Sequence, residues 1–486
     1  MKKENSVEKV QAVANEKKSM WERIGNLHPL SIVFLITLVI SFATYLIPGG
    51  EFERREVIVE ELGGEIRALI VPGTFQYVAS VPQGIREIWT YFMEGAVSAA
   101  DVSFSILLCA GAFCAIIATG AVDNGIQAIA KKFGKHTYMA IPICVFAFGL
   151  GGATYGMYED AIPFILVLVP MFLSMGYDSM VGLMTVHFSV AVGASAAFMN
   201  PFCVGIGQAL AQVPMLSGIG VRIICWLIMM TAVSAYILRY AFRVKKDPTC
   251  SPCYEQEVLK RQTETQNDNF GKLSVRNCIV LILLAAGMGI MVYGVIAKGW
   301  WFYEIGSVFL IMGIGIPLAG GLRVTDMIEK NIEGMTTVIP AVLLISASRV
   351  LSMILEKSNT LDTILYFLSS GMTNMPKAVS VSAMYAVSSL AMLFVQSSSG
   401  LAAILMPIMA PLVDLLGISR QTAVSAFALG SGTFGWIVPW EGVNYAMCVL
   451  AGVPFFKYLK QAAGFVFKIY IPLCIAMLLA MLAIKY

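Results

Sequence analysis

Long apolar runs separated by short polar segments dominate the chain from Pro29 to Ile484. A helix needs about 20 predominantly apolar residues to cross a bilayer, where only helices or closed barrels satisfy their own backbone hydrogen bonds. The pattern therefore predicts a polytopic all-α membrane protein. The predicted spans are residues 30–47, 99–120, 180–213, 219–241, 275–297, 304–321, 336–355, 420–453 and 461–484.

Two further apolar stretches, residues 138–175 and 377–416, are too long for one span. Each has a polar centre rich in glycine or serine, GLGGATYGMYED in the first and QSSSG in the second. Unwound backbone at membrane depth is tolerated only where it is buried in protein or lines a cavity. We therefore expect a hairpin in each stretch, with its tip at 152–160 in the first and at QSSSG in the second.

The composition agrees with a membrane protein. The chain has 486 residues, of which 58% are hydrophobic and 13% are charged, whereas soluble domains carry about 25% charged residues. The basic residues behind the net charge of +3 lie in short loops, so we expect no nucleic-acid partner. Residues 1–28 are polar and lack the apolar core of a signal peptide, which predicts a cytoplasmic N-terminal tail.

Lysine and arginine set the orientation of the predicted spans. They are concentrated in residues 1–28, in KKFGKH (131–136) and in the connector 242–274, and cytoplasmic loops carry such an excess. With a cytoplasmic N-terminus, all three basic segments lie in the cytoplasm only if 138–175 enters and leaves the membrane on the cytoplasmic side. The first hairpin is then re-entrant, and the same reasoning makes 377–416 a re-entrant hairpin from the opposite side.

The two halves, residues 29–241 and 275–486, resemble each other at an offset of about 240 residues. With the predicted orientation, the order span, hairpin, broken helix and span occurs twice in opposite senses. Inverted repeats with broken helices are typical of secondary transporters, which bind substrate and coupling ions near the bilayer midplane. The matching segments are AVDNGIQAIAKKFG with TLDTILYFLSSG, PMFLSMGYDS with PLVDLLGISR, and GASAAFMNPFCVGIGQALAQVP with GTFGWIVPWEGVNYAMCVLAGVP.

Glu159 and Asp160 are the only formally charged residues between Tyr138 and Met175. One carboxylate at the centre of a spanning helix costs roughly 2.5–3.5 kcal/mol, so the pair must face water, a cation or a partner. One interpretation is a substrate or cation site at the hairpin tip. The other is a tip held by an ion pair with a scaffold arginine or lysine. The remaining members of the candidate site at this tip are Thr154, Tyr155 and Gly156.

Polar residues also mark the breaks in the two crossing helices. Asn200 and Pro201 interrupt the first one, where proline frees an upstream carbonyl. Such oxygens suit Na⁺ or a polar substrate, and the alternative is a simple kink. Glu441 and Asn444 follow the second break. A carboxylate there favours a cation or a helix N-terminus, so Glu441 either contacts substrate or ion or forms a structural salt bridge.

The second hairpin tip holds Ser397, Ser398, Ser399 and Gly400. Hydroxyl and amide groups at the N-terminus of a half-helix suit a carboxylate group of a substrate. The alternative is that these serines only cap their own helix.

Two further polar residues lie within predicted spans. Arg349 is either an ion-pair partner of one of the acids or a bidentate ligand for a substrate carboxylate. His187 stands alone among apolar residues, and we interpret it as a hydrogen-bonded core histidine rather than a proton relay.

Known catalytic and metal-binding patterns are missing from the sequence. The lone CSPC at 250–253 lacks the second pair that a zinc site needs, and there is no GxxxxGK[ST], HExxH or triad spacing. We therefore expect no metal site, no cofactor and no enzymatic activity.

Four motifs carry a family resemblance: YGMYEDAIPF, NPFCVGIGQALAQVP, ATGAVDNGIQ and SSSGLAAILMPIMAPLVDLLGISRQTAV. They resemble the YfcC-type branch of the C4-dicarboxylate anaerobic carrier (DcuC-like) family, within the ion transporter superfamily, over roughly residues 25–486. Members of this branch are often described as basic amino acid or arginine/ornithine antiporters. The resemblance implies a homodimer, with a scaffold domain and a mobile transport domain that holds both hairpins and both broken helices. It also implies an elevator-type movement coupled to an ion gradient or to exchange.

The second broken helix departs from the family pattern. Where relatives read like GDGFTNxxxPTSG, this chain reads GSGTFGWIVPWEG, and Gln396 stands where a proline is common. The polar residues around the second broken helix and the second hairpin tip therefore differ from those of relatives. Glu441 can replace a bound cation there or pair with a substrate ammonium or guanidinium.

These observations predict a secondary transporter in the cytoplasmic membrane of a bacterium. Its cargo is a small carboxylate-bearing metabolite, and an amino acid is favoured, including basic ones exchanged like arginine and ornithine. The alternative is a C4-dicarboxylate carrier working by symport or exchange. An ion channel or receptor on the same fold is a hypothesis from a different class. Coupling to Na⁺ or H⁺ is expected, with Na⁺ near Asn200 and the first hairpin tip.

Overall fold

The structure is a computed structural model that describes residues 29–59, 65–122, 124–125, 134–254, 257–258, 274–370 and 375–486. The predicted cytoplasmic tail, residues 1–28, lies outside the described residues, as does most of the connector 242–274. Part of the basic segment KKFGKH is outside them as well.

Helices make up most of the described chain. Eight helical stretches within the described ranges are long and apolar enough to cross a membrane, which confirms the predicted polytopic membrane class. In the first half, the helices are α1 (Pro29–Ala43), α2 (Ile85–Ser98), α3 (Ala100–Ile117), α4 (Ala140–Thr154), α5 (Ile162–Ser174), α6 (Ser179–Ser195), α7 (Ile206–Leu210) and α8 (Ile219–Lys246). In the second half, they are α9 (Val275–Lys298), α10 (Phe302–Ala319), α11 (Val324–Lys357), α12 (Leu361–Ser370), α13 (Lys377–Ala391), α14 (Ser398–Leu415), α15 (Arg420–Phe434), α16 (Gly442–Ala451), α17 (Phe455–Phe465) and α18 (Ile471–Ala483).

Two small antiparallel sheets follow α1, and the hydropathy pattern did not predict them. Strand β1 (Gly50–Glu51) pairs with β4 (Gln76–Tyr77), and β2 (Arg54–Val59) pairs with β3 (Glu65–Ile70). Arg54 forms an ion pair of 2.9 Å with Asp362, which ties the sheets to α12. Helices α2 and α12 were not predicted either. A search for apolar runs of about 20 residues overlooks such short or amphipathic elements.

One group of helices is built around α11. Helices α3, α10 and α11 pack against one another, and α1 and α2 pack on α11. Small residues allow this close packing: a Cβ atom on Gly111 of α3 would stand 2.9 Å from the carbonyl oxygen of Asn331 in α11. Membrane helices associate through such small residues because lipid supplies no hydrophobic drive between them. We call α1, α2, α3, α10 and α11 the α11 group.

A second group is built around α6 and α15, and we call it the α6/α15 group. Helices α4 and α5 both pack on α6, helices α13 and α14 both pack on α15, and α6 also contacts α15. Helix α4 ends at Thr154 and α5 begins at Ile162, while α13 ends at Ala391 and α14 begins at Ser398. The chain is therefore unwound at the centre of both long apolar stretches. Helix α16 packs on α5 and α6, which places it in the α6/α15 group, and its packing on α11 is the main contact between the two groups.

The start of α6 is anchored by a buried carboxylate. Asp178 is 1% exposed, and its Oδ1 accepts the N-cap hydrogen bond from the backbone N–H of Val181 at 2.9 Å. Its Oδ2 accepts from the hydroxyls of Tyr240 in α8 and Ser251 in the connector, each at 2.6 Å. The side chain of Asp178 thus links the described start of the connector to α6 and α8.

We expect Asp178→Asn to lower the free energy of unfolding by about 1–3 kcal/mol, the usual cost of leaving buried hydroxyls without their acceptor. Asparagine keeps one oxygen for the cap but presents N–H groups to Tyr240 and Ser251. Thermal unfolding of the purified protein measures the loss. The matched control is Asp247→Asn, because Asp247 is exposed and its side-chain partners within the described residues are the nearby Thr249 and Cys250. Equal melting temperatures for Asp178→Asn and wild type would contradict the anchoring role.

Candidate functional site

The unwound segment between α4 and α5 requires glycine at position 156. Gly156 has a φ of +83°, a left-handed conformation that side chains rarely adopt. A Cβ atom there would also stand 2.8 Å from the Phe202 ring and 3.0 Å from Oδ1 of Asn200. The first tip therefore packs directly on the break that follows α6.

The side chain of Asn200 hydrogen-bonds to backbone groups of the protein. Its Nδ2 donates to the carbonyl oxygen of Gly152 at 3.2 Å, and its Oδ1 accepts from the backbone N–H of Phe202 at 2.9 Å. Pro201 is the first residue of a π-helical turn, Pro201–Gly205, that leads into α7. These bonds hold the break against α4, so the side chain of Asn200 is largely committed to protein partners in this conformation.

Tyr158 links the first tip to the second broken helix. Its hydroxyl donates to Oδ1 of Asn444 in α16 at 3.0 Å and lies 3.3 Å from Nε2 of His187 in α6. The other ring nitrogen of His187, Nδ1, lies 2.7 Å from the hydroxyl of Tyr458 in α17. His187 is fully buried and bonded on both sides, as expected for a core histidine.

The hydrogen positions in this chain of bonds follow from Asn444. Its Nδ2 donates to the carbonyl oxygen of Gly435 at 2.9 Å, so its Oδ1 faces Tyr158 and takes the only hydroxyl proton that Tyr158 has. Tyr158 must then accept from Nε2–H of His187. Nδ1 accepts from the Tyr458 hydroxyl at 2.7 Å, a shorter contact than the 3.3 Å from that hydroxyl to the carbonyl oxygen of Trp436. This assignment makes His187 the neutral Nε2–H tautomer.

Glu441 connects the second break to the second tip. It is the N-cap of α16, where its Oε1 accepts from the backbone N–H of Val443 at 3.4 Å. With the Gln396 amide oriented by its neighbours, its Nε2 donates to Oε2 of Glu441 at 2.8 Å and its oxygen accepts from Nε1 of Trp440 at 2.7 Å. Gln396, noticed in the sequence only as a departure from the family pattern, is thus a direct partner of Glu441.

The serines of the second tip shape the start of α14. Ser397 is its N-cap, since the Ser397 hydroxyl accepts from the backbone N–H of Gly400 at 3.2 Å and lies 3.2 Å from the Ser399 hydroxyl. Ser398 and Ser399 occupy the first turn of α14 and are half-buried. The tip rests on α11, where the Ser352 hydroxyl donates to the carbonyl oxygen of Phe394 at 3.1 Å.

Glu159 and Asp160 lie in a short 3₁₀ turn, Glu159–Ala161, that faces the α11 group. Both are half-buried and line a narrow cleft that is partly open to its surroundings. Neither side chain forms a hydrogen bond or ion pair with another residue of the described chain. The rest of the cleft is apolar or weakly polar: Ser105, Ile106 and Cys109 come from α3, Ile162 and Pro163 from α5, and Phe302, Ile305 and Phe309 from α10.

Arg349 is exposed and forms no ion pair within the described part of the chain. Glu159 and Glu441 interact with Arg349 through space, and Glu159 also repels Glu441. The three charges therefore belong to one electrostatic neighbourhood without any of them being neutralised by a direct contact.

The structure thus brings part of the predicted site together. Glu159, Asp160, Glu441 and Asn444 gather around Tyr158, whereas Asn200 and Pro201 pack on the other flank of the first tip, near Gly152 and Gly156. Thr154 stays in α4, where its hydroxyl donates to the carbonyl oxygen of Leu150 at 2.7 Å. Tyr155 follows it and is half-buried.

Sequence reasoning missed Tyr158, Tyr458 and the role of Gln396. The aromatic hydroxyls give no signal in a hydropathy pattern, because tyrosine is common in apolar segments. Within the described residues, no group of three or more His, Cys, Asp or Glu side chains is arranged to hold a metal ion.

Comparison with known proteins agrees with the resemblance seen in the motifs. The model of the C4-dicarboxylate anaerobic carrier family matches residues 28–484. A protein of Escherichia coli K12 named "Putative basic amino acid antiporter YfcC" is 31% identical over 466 residues, covering 89% of this chain and 92% of that protein. An uncharacterised protein of Haemophilus influenzae is 32% identical over 397 residues, covering 81% of this chain and 78% of its own length.

Two solved transporter structures are similar over nearly the whole chain. Neisseria gonorrhoeae MtrF, described as one of a class of antimetabolite efflux pumps, matches with a TM-score of 0.39 and 15% identity, covering 94% of this chain and 96% of MtrF. The Alcanivorax borkumensis YdaH transporter matches with a TM-score of 0.40 and 13% identity, covering 95% of this chain and 99% of YdaH. Likenesses this distant carry no argument about the site.

The family model spans nearly the whole chain, and the YfcC relative is more than 30% identical over most of both proteins. The protein is a membrane transporter that belongs to the C4-dicarboxylate anaerobic carrier family, in the branch that contains YfcC.

Proposed function

We propose that the protein is a secondary active transporter that carries an amino acid, preferably a basic one, across the cytoplasmic membrane of a bacterium. The observation that carries this proposal is the excess of unpaired acid at the meeting point of the first tip and the second break. Glu159, Asp160 and Glu441 outnumber Arg349 there, and no ion pair neutralises any of them in the described chain. Such a site favours an ammonium or guanidinium group.

An amino acid carries both positive and negative groups, and the candidate site has partners for both. Its cationic groups would face the carboxylates, while its own carboxylate would face Arg349 or the hydroxyl and amide groups at the start of α14. The name of the E. coli relative, "Putative basic amino acid antiporter YfcC", agrees with this assignment.

A C4-dicarboxylate is the second candidate, because the family model is described by that cargo. Two substrate carboxylates would meet three protein carboxylates, so such a substrate would need co-bound Na⁺ or H⁺. The carbonyls and amides near Asn200 and the first tip are where Na⁺ would bind in that case, and proton coupling would act on the carboxylates.

An elevator mechanism is our proposal for the movement. Corresponding positions of the two halves carry the same backbone features: Gly176 and Gly417 have φ of 83° and 60°, and Gln212 and Gly452 have φ of 55° and 66°. These pairs support an inverted repeat in which the hairpins 138–175 and 377–416 enter from opposite sides. The α6/α15 group would then be the mobile transport domain and the α11 group the scaffold.

Further parts of the proposed assembly follow from the orientation and the family resemblance. The scaffold would form the homodimer contact, and the N-terminus would be cytoplasmic. Gradients of Na⁺ and of H⁺, imposed separately across the membrane of proteoliposomes, would identify the coupling ion, since only the gradient of the coupled ion accelerates uptake.

Ligand-dependent unfolding and uptake test the substrate class. Purified protein is heated with arginine, ornithine, a neutral amino acid, succinate or fumarate, with and without Na⁺, because a ligand that binds the native state raises the melting temperature. We expect the basic amino acids to raise it and to exchange one for one in proteoliposomes. A shift with dicarboxylates alone would overturn the amino acid assignment. Current without substrate would instead indicate a channel, and binding without uptake a receptor.

A further inference from the structure

A buried arginine with no counter-charge among the described residues lies at the start of α8, just after the first broken helix. Arg222 belongs to the first turn of α8 and is only 3% exposed. Its Nη1 donates to Oε1 of Gln421 at 2.9 Å and to the hydroxyl of Tyr486 at 3.0 Å, and its Nη2 donates to the carbonyl oxygen of Ser217 at 2.6 Å. All three acceptors are neutral, and Arg222 forms no ion pair in the described chain.

The guanidinium of Arg222 has more N–H donors than it has hydrogen-bond acceptors among the described residues. It has five N–H groups, and the described residues accept three hydrogen bonds from them. The Nε–H is among the unspent donors, because Nε is buried and has no partner. Buried donors are nearly always satisfied in native proteins, so an orphan of this kind indicates a missing water or ion.

A second buried donor without a partner lies where the start of α8 meets the start of α15, the region that we call the junction. Ser425 is 2% exposed, and no described residue meets the hydrogen-bond criteria as a partner of its hydroxyl. It follows Gln421 by one turn of α15, on the same face, and it lies beside Tyr486, whose hydroxyl accepts from Arg222. The Tyr486 hydroxyl donates to the carbonyl oxygen of Gly218 at 2.9 Å and accepts from Nη1 of Arg222, so both of these hydrogen bonds go to groups other than Ser425.

Two helix N-termini and the guanidinium of Arg222 meet at this junction. Helices α8 and α15 both present their N-terminal turns to it, and helix N-termini carry partial positive charge. The neighbouring Arg420 is neutralised by Asp414, with Nη2 and Oδ2 2.6 Å apart. Arg222 has no such partner. Water would satisfy the orphan hydrogen bonds but would leave the buried charge uncompensated, which is unfavourable away from bulk solvent.

We propose that this junction binds a small monovalent anion, with chloride as the simplest candidate. The anion accepts from Nε–H of Arg222 and from the hydroxyl of Ser425, and it supplies the missing negative charge. Its role is to hold together the end of the first broken helix, the start of α8 and the start of α15. The proposal is independent of which substrate the protein transports.

Melting curves in sodium chloride and in sodium gluconate at equal ionic strength test this site. We expect chloride to raise the melting temperature of the wild-type protein in a saturable manner. Arg222→Gln should lose this chloride response, and Ser425→Ala should weaken the apparent affinity about tenfold, as expected for one lost hydrogen bond to a charged group. The charge-matched control is Arg323→Gln, because Arg323 is exposed and pairs locally with Asp326; it should keep the wild-type response.

Two results would overturn the proposal. Identical melting curves in chloride and gluconate would leave an ordered water as the only occupant. A chloride response that survives in both Arg222→Gln and Ser425→Ala would mean that the anion binds elsewhere. If Arg222→Gln does not fold, Ser425→Ala and an anomalous-diffraction search for bromide beside Arg222 in wild-type crystals decide the question, and no bromide peak there counts against the site.

Discussion

Glu441→Gln is expected to lower substrate uptake at least about tenfold while leaving the fold intact. A charge-assisted hydrogen bond to a substrate ammonium or guanidinium contributes about 1.5–3 kcal/mol, and 1.4 kcal/mol corresponds to a factor of ten. Glutamine removes this charge. It keeps an oxygen that can accept from the backbone N–H of Val443, so the N-cap of α16 survives, and Gln396 can turn its amide so that its oxygen accepts from the new NH₂ group. Initial uptake rates in proteoliposomes measure the loss.

The matched control for Glu441→Gln is Glu333→Gln. Glu333 lies on the exposed side of α11, where it pairs with Lys330 and retains 58% exposure of its side chain. Exposed ion pairs contribute about 0–1 kcal/mol, so uptake by this variant should stay near the wild-type value. A melting temperature that is unchanged in Glu441→Gln separates a transport defect from a folding defect. Unchanged uptake by Glu441→Gln would show that the carboxylate is structural.

Gly193→Val is expected to prevent correct folding, and Gly193→Ala to destabilise the protein by about 1–3 kcal/mol, the usual cost of overpacking. Helices α4 and α6 cross with their backbones in contact at Gly149 and Gly193. A Cβ atom on Gly193 would stand 2.8 Å from Cα of Gly149, and one on Gly152 would stand 2.6 Å from the carbonyl oxygen of Val190. Backbone cannot move aside as a flexible side chain can, so the added methyl groups force the helices apart.

Gly289→Val is the control for this packing prediction. Gly289 lies on the exposed side of α9, and a Cβ atom there would meet nothing within 4 Å. Valine at position 289 should therefore give a monodisperse protein with a melting temperature close to that of the wild type. Size-exclusion profiles and melting curves compare the variants. A monodisperse Gly193→Val protein with wild-type stability would mean that α4 and α6 are not in close contact.

Family membership and membrane class could be predicted from sequence, and both are confirmed. Hydropathy is a local property, so apolar runs such as 275–297 identify a helix such as α9 without knowledge of its neighbours. Motifs such as YGMYEDAIPF are also local and carry the family likeness. The re-entrant hairpins, the inverted repeat and the substrate remain predictions, because they depend on the orientation in the bilayer and on the bound cargo.

The candidate site was predictable only where its residues are unusual for their surroundings. Glu159, Asp160 and Glu441 stand out because a carboxylate is costly in an apolar segment. Tyr158 does not stand out, and its partner Asn444 is 286 residues away in the chain. The pairing of Gln396 with Glu441 also depends on two separate loops that meet only after the helices pack.

The sequence by itself therefore determined the class of protein, the family, the approximate spans and the costly acids, because each follows from local composition or a contiguous motif. Only the tertiary structure decided which polar groups are satisfied. It shows Asn200 hydrogen-bonded to the backbone of Gly152 and His187 bonded on both sides. Among the described residues, it also shows no ion pair for the acids near Arg349 and no counter-charge for Arg222. Hydrogen bonds and charge compensation depend on groups brought within about 3–4 Å by packing, and distance along the chain does not predict that proximity.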